Sequence, residues 1–304
     1  MWGGLRYYDR ENYIWTTDYF YTDYSGTGVG IKAMEMAGGK WDFAYINSND
    51  TSHSDRANGT EATMHTLHTS ALYGAWDMEI ALKQMPSNEF TGDNKQYATK
   101  GAEGTVIYSR DDFFFMPGGF SKFIAQAGRG LGSGDLLGAN LTNTAMYRKG
   151  SLYQKTLQDT ADGYKPYQSK VMEGDQSYRL FLWGGWYGAN IHLLPTLSYQ
   201  YNDYELGGHD SWYAASLRPV FPINEFFSIQ TEVGYVKNNL IIDNVERGGT
   251  SHKVSIVPTF TVNTGMGPSP EIRILTTYVD HNNETPWQED REDFLVGVQA
   301  DMWW

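Results

Sequence analysis

Apolar and polar residues alternate with a period of two along the last stretch of the chain. Phe294, Val296, Val298, Ala300, Met302 and Trp304 fall on one face; Leu295, Gly297, Gln299, Asp301 and Trp303 fall on the other. Successive side chains of a strand point to opposite faces, so this segment predicts a strand with one apolar face. Its length matches the roughly 9–11 residues with which a tilted strand crosses a bilayer. The same alternation sets Phe227, Ile229, Thr231, Val233 and Tyr235 against Ser228, Gln230, Glu232 and Gly234, and it recurs over 253–262. Further strands are expected over 41–47, 73–84, 105–109, 120–127, 178–183, 192–201, 212–220 and 272–279, while helical periodicity is nowhere sustained.

Polar stretches separate these segments: Asn47 to Glu61, Leu157 to Asp175 and Asp280 to Asp293 are rich in Asn, Asp, Gly, Ser and Thr and too long for tight turns. Long loops on one rim and short turns on the other are the pattern of a membrane barrel. No repeat or break in composition divides the chain, which reads as one domain, 1–304. The aromatic residue closing the last strand resembles the C-terminal signal by which outer-membrane assembly machinery recognises its substrates. The competing reading is the edge strand of a soluble sandwich, which two Trp at a free terminus disfavour. The expected fold class is all-β, a transmembrane antiparallel β-barrel.

Composition changes this picture little. A mean hydropathy of −0.51 would point away from a membrane for a helical protein. In a barrel strand, lipid-facing and lumen-facing residues cancel in any such average. The chain carries 36 acidic against 23 basic residues, a formal net charge of −13, with no clustering of bases of the kind that binding to phosphates requires, so nucleic acid is not expected as a partner. There is no Cys, which excludes disulfides and thiolate metal sites. Residues Met1 to Arg6 show no basic and then apolar leader, although an exported barrel needs one; either a signal peptide was removed or the chain begins inside a longer reading frame.

Candidate chemistry points away from catalysis. No Gly-x-Ser-x-Gly elbow, His-Glu-x-x-His pair or Walker loop occurs, and His192 has no identifiable Ser partner for a lipase-like site. Gly26-Thr27-Gly28-Val29-Gly30 reads as a flexible loop and not a phosphate cradle, since no buried strand precedes it. His65 and His68 fall on opposite faces of a strand, which argues against a shared metal. Glu289, Asp290, Glu292 and Asp293 read as a solvated loop, with divalent-cation bridging to lipopolysaccharide as the alternative. Neither a metal nor a cofactor is expected.

Three stretches carry a resemblance to a known family. Trp2-Gly-Gly-Leu-Arg-Tyr-Tyr-Asp-Arg10, continued by Asp18 to Gly30, resembles the maltoporin family's strand running into its inward-folded constriction loop. Gly119 to Gln126 resembles the family strand bearing a mid-channel aromatic, and Trp303-Trp304 resembles its terminal pair. The resemblance covers the whole chain but begins well inside the family's sequence. It implies a homotrimeric, 18-stranded porin of the bacterial outer membrane, of which about 12–14 strands fall in this chain and the N-terminal strands do not. It further implies passive, sugar-selective diffusion of maltodextrin-like oligosaccharides, with outer-membrane lipid and lipopolysaccharide as surroundings and residues 9–31 as the constriction loop. The alternatives are a general diffusion porin, a structural or receptor barrel, and a non-conducting fragment of a sugar porin.

Carried over by position, Phe120 and Trp303 become aromatic slide residues, Arg10 and Asp18 charged constriction residues, and Phe20 the residue facing the slide. Strand parity supports part of this independently: Phe120 shares a face with Lys122 and Gln126, and Trp303 with Gln299 and Asp301. Two positions depart from the family. Gly267 stands where a slide Trp is expected, and Phe20 occupies a position that is Tyr in maltoporins and Asp in the related sucrose porins.

Overall fold

Alternation of apolar and polar residues is realised as a wall of antiparallel strands whose polarity is the reverse of a soluble protein's. The computed structural model describes residues 1–6, 13–14, 19–50, 62–89, 96–141, 171–242, 245–262, 269–283 and 291–303. In chain order the strands are β1 (Trp2–Arg6), β2 (Tyr13–Ile14), β3 (Tyr19–Phe20), β4 (Gly26–Met36), β5 (Gly39–Asp50), β6 (Ala62–Tyr73), β7 (Trp76–Gln84) and β8 (Lys100–Arg110). They continue with β9 (Phe120–Gly130), β10 (Gln176–Tyr187), β11 (His192–Asp203), β12 (His209–Asn224), β13 (Phe227–Ile242), β14 (Val245–Thr261), β15 (Ser269–Asn283) and β16 (Arg291–Trp303). All but β2 and β3 form one 14-stranded sheet in which each strand pairs with its sequence neighbours, β1 with β4. Among the described residues no ladder joins β1 to β16, so the sheet they form is the wall of a barrel left open between these two strands.

Strand β7 shows the sorting of side chains. Met78, Ile80 and Leu82 point outward and are exposed, whereas Glu79, Ala81 and Lys83 point inward and are buried. The outward face continues through Leu67, Val106, Leu180, Leu197, Val254 and Val298, all exposed. This arrangement suits lipid outside and polar groups inside. Consecutive strands are joined across one rim by tight turns, at Ala37–Gly38, Gly74–Ala75 and Glu225–Phe226. Ala37 and Gly38 both have positive φ, 51° and 79°, the requirement of a two-residue hairpin whose twist matches its strands. The long connections, 51–61, 85–99 and 131–175, all lie at the other rim.

Three expectations need correction. Gly26 to Gly30 is not a flexible loop but the first half of β4, paired with Tyr45 and Ala44 of β5. Glycine is required there by close approach: a Cβ at Gly28 would sit 2.0 Å from the Tyr45 carbonyl oxygen, and one at Gly30 would meet the Trp2 indole at 2.6 Å. Residues 73–84 are not one strand, because the chain reverses at Gly74 (φ 58°), so that β6 pairs back on β7. The stretch from Asp280 is not loop throughout, since β15 runs to Asn283 and β16 starts at Arg291, Asp280 pairing with Glu292.

Two segments fold inside the wall. Residues 21–25 run along the inner face, with Tyr21 and Tyr24 almost fully buried. Residues 131–141 lie beside them, with Leu131, Leu136 and Leu137 buried around a single 3-10 turn at Gly134–Leu136. The two meet where the Asp23 N–H donates to the Gly138 carbonyl at 2.8 Å. Ahead of them, β2 and β3 form a two-residue ladder that pairs Tyr13 with Phe20.

The close approach at Gly28 yields a contrast. Gly28→Val is expected to lose folded protein, overpacking here exceeding about 3 kcal/mol. Gly104→Ala, whose Cβ would meet its nearest neighbour at an ordinary 3.6 Å, is expected to fold as the parent does. The heat-modifiable shift of the folded band on unheated denaturing gels reads both.

Candidate functional site

The inner segments are tied to the wall by buried charge. Lys83 of β7 and Glu103 of β8 face inward and pair at 2.8 Å, both almost wholly buried. Lys83 Nζ also donates to the carbonyls of Leu136 (2.5 Å) and Ala139 (2.6 Å), so all three ammonium donors are engaged. Glu103 accepts from the Tyr24 hydroxyl at 2.5 Å and from the Gly138 N–H at 2.8 Å. One ion pair therefore fastens both inner segments at once.

A second node lies one step along the sheet. Arg179 of β10 donates to Gln126 Oε1 and the Leu137 carbonyl, each at 3.0 Å, and to Gln200 Oε1 at 2.8 Å. Gln126 donates in turn to the Tyr21 carbonyl at 2.8 Å. A buried guanidinium is tolerable because its fork is satisfied by planar acceptors at good distance. On the other side of the first node, the Tyr24 ring lies tilted against that of His68 of β6, 4.7 Å between centroids. His65 lies on the opposite, outward face, where its Nδ1 is 2.6 Å from the Tyr45 hydroxyl.

Aromatic rings continue from this packed side towards the short-turn rim. Tyr21 and Phe181 lie 6.2 Å apart, and Phe181 and Trp183 share a cluster with Ile107 and Ile124. Phe120, the first residue of β9, packs edge-to-face on Trp183 at 4.8 Å and lies 6.4 Å from Tyr187, which meets His192 at 5.3 Å. Phe120 reaches across Gly185, where a Cβ would come within 2.9 Å of its ring. Its inward facing, expected from parity with Gln126, holds.

Beyond the aromatic run no described residue covers the inner face of β11–β15, which forms a trough of about 1120 Å³ lined at one side by Phe181, Tyr187 and His192. Its floor is a ladder of charge. Glu232 accepts from Arg218 Nε at 2.9 Å and from Lys253 Nζ at 2.7 Å. Glu271 is paired with Arg273 on the same strand and accepts from Gln230 at 3.3 Å. The trough thus presents ring faces on one flank and alternating acids, bases and amides on the other.

The remaining expected residues divide. Trp303 holds the end of β16 opposite Ser269, which puts it at the same rim of the sheet as Phe120. Phe20 lies in β3, in the stretch that leads into the inner segment. Arg10, Asp18 and Gly267 lie outside the described residues. Of the expected loop 9–31, residues from Gly26 onward belong to the wall, and the inward-packed part ends at Ser25. Sequence reasoning passed over Trp183, Tyr187, Arg179 and the Lys83–Glu103 pair. The signal available for Arg179 was its shared parity with Phe181 and Trp183.

Comparison with known proteins agrees with this architecture along its whole length. The family model described as LamB porin matches residues 1–304. A maltoporin of Hahella chejuensis is 24% identical over 307 residues, taking in all of this chain and 67% of its own length. A maltoporin of Vibrio cholerae serotype O1 is 22% identical over 330 residues, again over all of this chain and 72% of its own length.

Removal of one partner of a buried, fully bonded ion pair costs about 3–5 kcal/mol. Lys83→Met is therefore expected to release 21–25 and 131–141 from the wall while the strand ladders persist. Limited proteolysis of the folded variant should cut these inner segments, which the parent protects, with the far-ultraviolet β signal unchanged.

Proposed function

Because the chain belongs to the LamB porin family, we propose that it serves as a passive, sugar-selective diffusion channel of the bacterial outer membrane, with maltodextrin-like oligosaccharides as cargo. The observation that carries this reading is the aromatic run from Tyr21 through Phe181, Trp183 and Phe120 to Tyr187, opening beside the charged floor of the trough. Sugar rings have apolar C–H faces and polar hydroxyl edges. The faces stack on aromatic rings at about 0.5–1.5 kcal/mol each. The edges exchange hydrogen bonds with Arg218, Glu232, Lys253 and their neighbours as the chain of sugars advances. Contacts that are many and individually weak let a molecule enter and also leave.

In this reading Phe120 and Trp303 are slide residues near the exit at the short-turn rim, Trp183 extends the slide inward, and Tyr187 continues it to the rim. Arg10, Asp18 and Phe20 belong to the constriction, of which residues 21–25 are the packed continuation. The surroundings are outer-membrane lipid and lipopolysaccharide, and the assembly is a homotrimer. Passage makes and breaks no covalent bond, so the side chains act by position alone.

Conductance across a planar bilayer tests the proposal. Maltodextrin is expected to block the current saturably, and Phe120→Ala to raise the half-blocking concentration roughly 3- to 10-fold, the equivalent of one aromatic contact. Current without sugar block would reduce the protein to a general diffusion porin; absence of current would leave a structural barrel or a non-conducting piece.

A further inference from the structure

The connection between β8 and β9 is longer than the tight turns of its rim. Where those at 37–38, 74–75 and 225–226 reverse in two residues and that between β10 and β11 in four, it runs through Asp111-Asp-Phe-Phe-Phe-Met-Pro-Gly-Gly119. Phe114 and Phe115 both have left-handed backbones, φ 47° and 73°. Such conformations are costly for residues with a Cβ and persist only where surrounding structure imposes them.

Here the imposing structure is visible. Arg110 grips Asp112 through both carboxylate oxygens, Nε to Oδ1 at 2.8 Å and Nη2 to Oδ2. Asp112 Oδ1 accepts the Phe115 N–H at 3.0 Å, and the Asp112 carbonyl accepts from Ser121 Oγ at 2.9 Å. Phe113 and Met116 exchange backbone hydrogen bonds at 2.9 Å in both directions. The Arg110 hydrogen bond holds the Asp112 carboxyl below the usual carboxylate range, so the grip stays ionised at neutral pH.

The outcome of this strain is an apolar surface. Phe115 is 71% exposed and Met116 52% exposed. The turn folds back over the outward face of the wall: Phe114 and Phe115 lie 5.8 and 6.4 Å from Phe123, which is 6.1 Å from Tyr108, itself 4.6 Å from Trp76. Tyr108, Trp76 and Phe123 share the outward parity of Val106, Met78 and Ala125, so the turn prolongs the lipid-facing band beyond the ends of the strands. The Arg110 guanidinium sits 4.4 Å over the Phe115 ring, a cation at the edge of an apolar patch.

We infer that the 111–119 turn is a membrane anchor whose Phe115 and Met116 insert among the upper acyl chains of the periplasmic phospholipid leaflet, with Arg110 at the level of the lipid phosphates. Continuity with the outward apolar band selects lipid over a soluble partner, and the cation beside the patch complements an anionic headgroup layer. Residues that only closed a hairpin would be met at less strain by Gly or Asn. The inference rests on the wall spanning a membrane and not on what passes through it; loss of sugar block with the anchor still inserted would leave it standing.

The absence of Cys from the chain permits a direct test. Phe115→Cys and, as a reference in a tight turn at the same rim, Glu225→Cys each receive a nitroxide, and the folded chain is placed in vesicles of phosphatidylethanolamine and phosphatidylglycerol. The ratio of collisions with oxygen to collisions with a water-soluble nickel chelate is expected to be several-fold higher at 115 than at 225. Equal ratios place the turn in water, assign its patch to a soluble partner and overturn the inference. Phe115→Gly supplies an independent measurement, since it relieves the left-handed backbone while removing the ring. Its folded yield is expected to equal or exceed the parent's in detergent and to fall several-fold in vesicles; an undiminished yield in vesicles overturns the inference as well.

Discussion

Lipid offers no hydrogen bonds, so a chain that crosses it must pair every backbone N–H and C=O within itself, each orphan costing several kcal/mol. The antiparallel ladders from β1 through β16 answer that demand for every strand between these two edges, and the rest of the molecule follows from it. Once the backbone is spent on the wall, outward side chains must be apolar and inward ones inherit the polar part of the sequence. What would be a core in a soluble protein becomes an outer coat, and the polar interior has to be satisfied or wetted.

The two halves of the wall meet this second demand differently. Along β5 to β10 the inner face is covered by 21–25 and 131–141, and its polar groups are bonded to them: Lys83 to the Leu136 and Ala139 carbonyls, Arg179 to that of Leu137. Buried charge works here as a fastener, because the carbonyls of an irregular segment are the acceptors a strand-borne cation can reach. Along β11 to β15 no described segment covers the wall; Arg218, Glu232 and Lys253 satisfy one another across strands and leave the space above them open. The aromatic run sits at the seam between the covered and the open halves.

How much of this the sequence disclosed depended on whether both faces of a strand kept their character. Where one face is apolar and the other polar, as over Phe227 to Tyr235, strand and facing were both legible. The inward facing of Phe120 was legible because Lys122 and Gln126 mark its face. Leu180-Phe181-Leu182-Trp183 is apolar on both faces, since its inward side packs against Tyr21, and so gave no sign that Trp183 belongs to the inner aromatic run. In β4, glycine alternates with Thr27, Val29 and Ile31; an outward apolar stripe was present, but the inward stripe of glycines demanded by close neighbours mimicked a loop. The inner segments have no period at all, their residues being fixed by contacts with strands far away in the chain.

One consequence of the bonding pattern is electrical. Lys83 and Arg179 spend their donors on the segments that cover them and on neighbouring side chains of the wall, so they contribute structure and not field. Among the described residues the charge that borders the open trough is Arg218, Lys253 and Arg273 against Glu232 and Glu271, bases and acids nearly balanced although the chain as a whole is strongly acidic. A path so compensated has steep local dipoles and almost no monopole. Such an arrangement exerts torque on a neutral, hydroxyl-rich molecule while giving a small ion little reason to prefer one sign.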